Sequence, residues 1–182
     1  MSVKIFKNFL SKKECEELNK IALQGINEGW CYKGIQDHKH NYNLRFTSRL
    51  HMANSEYPQF VRDMSDRIRK FVGINTFPLI VGHGKDGVVV SVTFKGGSVY
   101  KHRDPRSTEG LLTYRCNILT QANEEGCELY VDNKKIEIEV GDLHCYMVSE
   151  LPHYVTEAKG DTPRIMWMFG AHIPQELASK YL

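Results

Sequence analysis

Two kinds of hydrophobic pattern run along this chain, one after the other. Near the N-terminus, Cys15, Leu18, Ile21 and Ala22 recur at helical spacing, which stacks them on one face. Ser11 stands before them with Glu14 three residues on, the signature of a capping box. The pattern predicts a helix from Ser11 to about Gln24, ended by Gly25. A second helix is predicted from about Tyr57 to Phe71, with Phe60, Met64, Ile68 and Phe71 as its apolar stripe and Gly73 beyond it.

From Gly87 onward the period changes. Val88 to Phe94 is a β-branched run that stops at Gly96-Gly97. Further strands are predicted over Val99–His102, Leu111–Thr120, Cys127–Val131, Ile136–Val140, His144–Val148 and Arg164–Ile173. Turn residues separate them: Asn123 to Gly126, Asp132-Asn133, Gly141-Asp142 and Gly160-Asp161. Many short strands after two helices predict a mainly β fold, a barrel or sandwich braced by helices on one face. One domain over residues 1–182 is expected. Residues 1–86 would be a helical and loop support and residues 87–174 the β core.

Composition narrows the class. Hydrophobic residues make up 41% and charged residues 25% of the 182, ordinary for a soluble globular protein. A net charge of +2 gives no general pull toward nucleic acid or anionic lipid. No apolar run approaches the roughly 20 residues needed to span a bilayer, so no membrane partner is expected. The first ten residues lack the apolar core of a signal peptide. The five cysteines are odd in number and widely spaced, with no C-x-x-C pair. That argues against a disulfide framework or a thiolate zinc site. A reducing cytoplasm is the expected home.

His102-Arg103-Asp104 is the first candidate for chemistry. On extended backbone, residues two apart point to one side, so His102 and Asp104 can converge while Arg103 faces away. His153, stiffened by Pro152 before it, is the best third ligand. Two imidazoles and one carboxylate form a facial triad that leaves half of an octahedral iron open. Arg164 opens an apolar strand, and a guanidinium pointing inward there needs an anionic partner.

From about Val88 to Pro174 the sequence resembles the double-stranded β-helix (jelly-roll, cupin-like) core of the Fe(II)/2-oxoglutarate dioxygenases, most of all their prolyl-hydroxylase-like branch. The matching pieces are His102-Arg103-Asp104, Arg115 to Leu119, Glu125 to Leu129, Gly141-Asp142, His153 and Arg164. Phe6 to Leu18 also resembles the helix that precedes such a core. The resemblance implies that His102, Asp104 and His153 hold Fe(II) and that Arg164 pairs with the distal carboxylate of 2-oxoglutarate. Thr93, Tyr114 and Asn117 are weaker candidates for the cosubstrate pocket. Strand alternation sets Tyr114 and Asn117 on opposite faces, and Asn117 is favoured. The family often has two glycines where this chain has Gly126-Cys127; Cys127 is expected to bear on a turn and not on the chemistry. The implied reaction uses dioxygen, turns 2-oxoglutarate into succinate and carbon dioxide, and hydroxylates a C–H bond, with ascorbate as an accessory reductant.

Other clusters compete. Asp37-His38-Lys39-His40 reads as a polar loop. Asp142-Leu143-His144 repeats the two-apart spacing, with Asp142 better explained as a turn residue. His51, His83 and His172 stand alone. Tyr32, Tyr42, Arg45, Phe46, Arg49 and Tyr57 could form a substrate wall or a loop packed over the barrel. A protein or peptide side chain, proline included, is the favoured substrate. A nucleobase or small metabolite is the alternative, and a basic groove of Arg45, Arg49, Arg103 and Arg106 would favour nucleic acid. A non-enzymatic cupin-like barrel is the third reading, and it gives Arg164 no role.

Overall fold

The computed structural model describes residues 3–33, 45–48, 58–77, 88–107 and 109–181. Its strands are β1 (Lys4–Phe6), β2 (Cys31–Lys33), β3 (Arg45–Ser48), β4 (Val89–Thr93), β5 (Val99–His102), β6 (Leu112–Gln121), β7 (Leu129–Val131), β8 (Lys134–Ile136), β9 (Leu143–Met147), β10 (His153–Val155) and β11 (Arg164–Ile173). Seven form the larger sheet, in the order β1-β9-β6-β11-β4-β3-β2, and four the smaller, β5-β10-β7-β8. Every pairing in both is antiparallel.

Side-chain alternation divides the larger sheet into two faces. On one face Val90 and Val92, Tyr114, Cys116 and Ile118, Leu143 and Cys145, and Ile165, Trp167 and Phe169 are buried in one apolar cluster with the helices. On the other, Ser91, Arg115, Asn117, His144, Tyr146, Arg164 and Met166 line a cavity beneath the smaller sheet. The strands of the larger sheet's centre are therefore buried on both sides. The sequence shows this as runs of β-branched and aromatic residues in place of a clean alternation. Val99, Leu129, Val131 and Val155 of the smaller sheet pack with Tyr146 and Val148 in a second cluster. The two sheets thus share a core and enclose the cavity, the double-stranded β-helix arrangement.

The helices are α1 (Lys12–Asn27) and α2 (Gln59–Phe71), and a 3-10 helix, Gln175–Tyr181, closes the described chain. The Ser11–Glu14 capping box is formed in both directions. Helix α1 runs past Gly25 because that glycine faces inward: a Cβ there would lie 2.4 Å from the Trp30 ring. The helix gives way near Gly29, whose φ is +79°. In α2 the buried positions are Val61, Met64, Ser65, Ile68 and Arg69, one step round from the predicted stripe. Arg69 accounts for the shift. It enters the core by donating to the carbonyls of Gly170 (2.7 Å) and Phe77 (2.6 Å). Phe71 remains 54% exposed and packs against the rings of Phe6 and Phe9 at the surface.

Two further expectations change. The predicted strand Ile136–Val140 begins earlier, as Lys134–Ile136. Asp132 and Asn133 both take positive φ, a two-residue hairpin turn that returns the chain at once. The N-terminal support also supplies β1, β2 and β3 to the larger sheet, and strands of three or four residues carry little periodic signal. Asp142 is a structural residue, as its turn position suggests: its carboxylate accepts from Lys7 Nζ, Asn8 N and Glu139 N.

Candidate metal centre and its cavity

His102 closes β5, His153 opens β10, and the register pairs them directly. Their ring centroids are 4.4 Å apart. Beyond His102 the chain is held by the Asp104 N–H, which donates to the Val148 carbonyl at 3.0 Å. Asp104 Oδ1 then lies 3.4 Å from His102 Nε2 and 3.9 Å from His153 Nε2. One ligand atom from each residue lies within 4.8 Å of the others. His102 Nδ1 donates to the Tyr100 carbonyl at 2.8 Å and His153 Nδ1 to the Leu151 carbonyl at 3.1 Å. A carbonyl can only accept, so each Nδ1 carries a proton and each Nε2 is the ring atom left to bind a metal. Metal-binding histidines are oriented in this manner.

The charges fit the same purpose. Burial pulls the Asp104 carboxyl upward, but the His102 hydrogen bond and the Arg115, His153 and His102 charges outweigh it and hold it well below the usual carboxylate range. Burial, with His102 beside it, pushes His153 down to about 4. A neutral imidazole and an ionised carboxylate are what a divalent cation requires of its ligands. With three protein donors among the described residues, such a cation keeps open coordination positions.

The same cavity is lined by several polar groups. Arg164, 5% exposed, lines the cavity, and no carboxylate pairs with it among the described residues. Its electrostatic neighbours are Cys127 and Tyr146. Burying a guanidinium without an anion costs several kcal/mol, on the order of what is lost when a buried ion pair is broken. Thr93 Oγ1, Asn117 Oδ1, Arg115 Nη1 and His144 Nδ1 are buried without a hydrogen-bond partner among the described residues. Such atoms are rare in folded proteins unless a ligand or water completes them. Arg115 donates through Nε and Nη2 to Asp104 Oδ2, at 3.4 and 3.3 Å.

The expected site residues are thus brought together in large part. His102, Asp104 and His153 converge, and Arg164 and Asn117 share their cavity. Tyr114 faces the opposite side and packs against Tyr181 in the helix-covered core. Thr93 is level with Arg164 in the sheet, while Ser91 and Val89 form the cavity wall beside it. Cys127 sits in the turn, as expected. Its φ of +54° replaces the left-handed glycine, and its thiol lies close enough to Arg164 to feel its charge.

Arg115 stands out in the sequence only as one of the family-like pieces, His144 only for its spacing from Asp142, and Tyr146 not at all; none was given a role in the cavity, although Arg115 shares strand parity with Asn117 and so had to face the same way. Burial and the Arg164 charge push His144 down to about 3, which keeps it neutral. Arg45, read in a substrate wall, lies inside the cavity. Phe46 packs against Phe94. His172 is buried, with Nδ1 3.5 Å from Thr113 Oγ1. Arg103 is exposed, and Arg106 is held by Glu150 through two hydrogen bonds. Of the remaining candidates, His38, His40, Tyr42, Arg49, His51, Tyr57 and His83 lie outside the described residues, as does the side chain of Tyr32.

No protein-family model matches the sequence, and no curated protein matches it. Solved structures do. A prolyl-4-hydroxylase of Pseudomonas putida superposes with a TM-score of 0.68 at 14% identity, covering 94% of this chain and 92% of its own. The viral collagen prolyl hydroxylase of Paramecium bursaria Chlorella virus-1, solved with 2-oxoglutarate, gives 0.64 at 16% identity, with coverage of 96% and 97%. This chain has the prolyl-hydroxylase fold. A prolyl hydroxylase of Trichoplax adhaerens, solved with a peptide fragment of the hypoxia inducible factor oxygen degradation domain, gives 0.68 at 15% identity, with coverage of 93% and 83%. The prolyl-hydroxylase fold therefore extends over nearly the whole chain, N-terminal support included. Among the described residues no helix is long and apolar enough to cross a membrane, and all five cysteines are free and buried.

Proposed function

We propose that this protein is an Fe(II)- and 2-oxoglutarate-dependent dioxygenase that hydroxylates a C–H bond and releases succinate and carbon dioxide. One observation carries the reading: a two-histidine, one-carboxylate cluster opens into the same cavity as a buried arginine with no carboxylate partner among the described residues. A structural metal-binding barrel would leave that arginine without a purpose.

In this reading His102, Asp104 and His153 hold the iron, and Arg164 takes the distal carboxylate of 2-oxoglutarate. Asn117 offers a hydrogen bond within the same pocket, and Thr93 stands beside Arg164 in register. When bound, the iron with 2-oxoglutarate and dioxygen supplies the oxidising power, which no side chain here could provide. The protein supplies position and exclusion. Arg115 fixes the second oxygen of Asp104 and so leaves Oδ1 for the metal. Met166, Met168, Val89 and Leu129 give the cavity apolar walls, which exclude water from the reacting atoms. Ascorbate would serve as the accessory reductant.

The substrate we favour is a protein or peptide side chain, as for the structural neighbours named prolyl hydroxylases and the one solved with a peptide. The five unpaired thiols support a reducing cytoplasm, and residues 1–182 are taken as one domain. The test is to purify the protein without oxygen, add Fe(II) and 2-oxoglutarate, admit oxygen and measure succinate. Succinate that depends on iron and disappears in His102→Ala is the expected result. Its absence from a protein that also fails to bind 2-oxoglutarate would overturn the reading.

A further inference from the structure

Arg164, Thr93 and Arg45 form one rung across three neighbouring strands, since Thr93 is the register partner of both arginines. Partners in register share a face, so both guanidinium stems rise from the cavity floor. Arg45 then leans along β4. Its Nε donates to Ser91 Oγ at 2.6 Å, two residues from Thr93. Arg164 and Asp104 are both within its electrostatic reach. No carboxylate bonds to Arg45 among the described residues. Among the described residues the cavity therefore holds two guanidinium groups that no carboxylate bonds: Arg164 on the rung, and Arg45 leaning away from it.

The charges do not cancel when the site is filled. Arg115 is offset by Asp104. A divalent metal and Arg164 together outweigh the two carboxylates of 2-oxoglutarate. Arg45 adds a further positive charge inside the cavity, and a guanidinium can form the two-pronged contact that suits a carboxylate. The next molecule to enter is the one that is hydroxylated.

We propose that Arg45 reads the substrate: it pairs with a carboxylate carried by the molecule that is hydroxylated, near the carbon that reacts. This rests on the dioxygenase reading above and adds the class of substrate. An acidic peptide side chain and a free amino acid both carry that group, and the experiment separates them.

The test uses the full chain loaded with Mn(II), which holds the site without turnover, and with 2-oxoglutarate. Calorimetry then measures three probes: a short peptide with glutamate next to proline, the same peptide with glutamine in its place, and free L-glutamate. The wild type is expected to bind one of the glutamate probes about 30-fold more tightly than the glutamine peptide, the low end of what removing a buried charged partner costs. Arg45→Gln should abolish that preference while its affinity for 2-oxoglutarate stays within twofold. Arg45→Lys should keep part of the preference, and melting curves identify any variant that is not folded. Equal binding of glutamate and glutamine peptides, no binding of any probe, or a loss of 2-oxoglutarate affinity in Arg45→Gln would each overturn the proposal. Failure of the wild type to bind 2-oxoglutarate at all would instead strike the dioxygenase reading.

Discussion

His102 and His153, which are 51 residues apart in sequence, are direct register partners on adjacent antiparallel strands, with rings 4.4 Å apart. The two strands fix the pair before any metal arrives, so little reorganisation is needed to bind one. Replacing His102, Asp104 or His153 by alanine should lower Mn(II) or Fe(II) affinity by about 100-fold or more, since even residues behind the ligands typically cost 10- to 100-fold. Metal titration of each variant checks this.

Arg115 holds Asp104 Oδ2 from behind. Arg115→Met should retain the fold and reduce metal affinity by roughly 10- to 100-fold. The loss should shrink where Asp104 is already replaced, because the two act through one carboxylate. A double-mutant cycle on metal affinity measures it.

Arg164→Ala should weaken 2-oxoglutarate by about 30-fold or more, the usual consequence of removing one partner of a buried charge pair. Affinity for the metal alone should change little. Equal 2-oxoglutarate affinity in variant and wild type would remove Arg164 from the cosubstrate site.

The strand pattern, the capping box and the His102–Asp104 convergence were legible because each depends on neighbours two to four residues away. His153 was a candidate through Pro152 and then through family resemblance, since nothing local says which later strand lies beside β5. Arg69 escaped because a charged residue reads as exposed, and only the carbonyls of Gly170 and Phe77 make its burial tolerable. Arg45 was seen among aromatic and cationic neighbours but not placed, because β3 is short and joins the sheet through long-range pairing with β4. The nearness of Cys127 to Arg164 was not legible, since its turn and the Arg164 strand meet only in three dimensions.

Acid should destabilise the metal-free protein earlier than carboxylate titration alone would. His144 is pushed down to about 3, by burial and then Arg164, and His153 to about 4, by burial and then His102, both from 6.5. The unfolded chain therefore takes up protons first. The stability these histidines contribute is complete above about pH 6.5 and drains away as pH falls toward their folded values. Each should cost about 2–3 kcal/mol by pH 4.5. Urea midpoints between pH 7 and 4.5 measure the slope, and His144→Gln should flatten it.

Gly126 has φ +81°, and a Cβ there would lie 2.0 Å from the Glu157 carbonyl oxygen. Gly126→Ala should cost about 3 kcal/mol and lower the melting temperature by about 6–12 °C. Neighbouring Cys127 stands beside Arg164, so 2-oxoglutarate binding should weaken with it.

Binding of 2-oxoglutarate with and without Mn(II), in wild type and in Asp104→Ala, tests the shared cavity most directly. Tight binding that needs the metal, and that Asp104→Ala loses, is the predicted result. Binding that ignores the metal, or no binding in a folded wild-type protein, would contradict it.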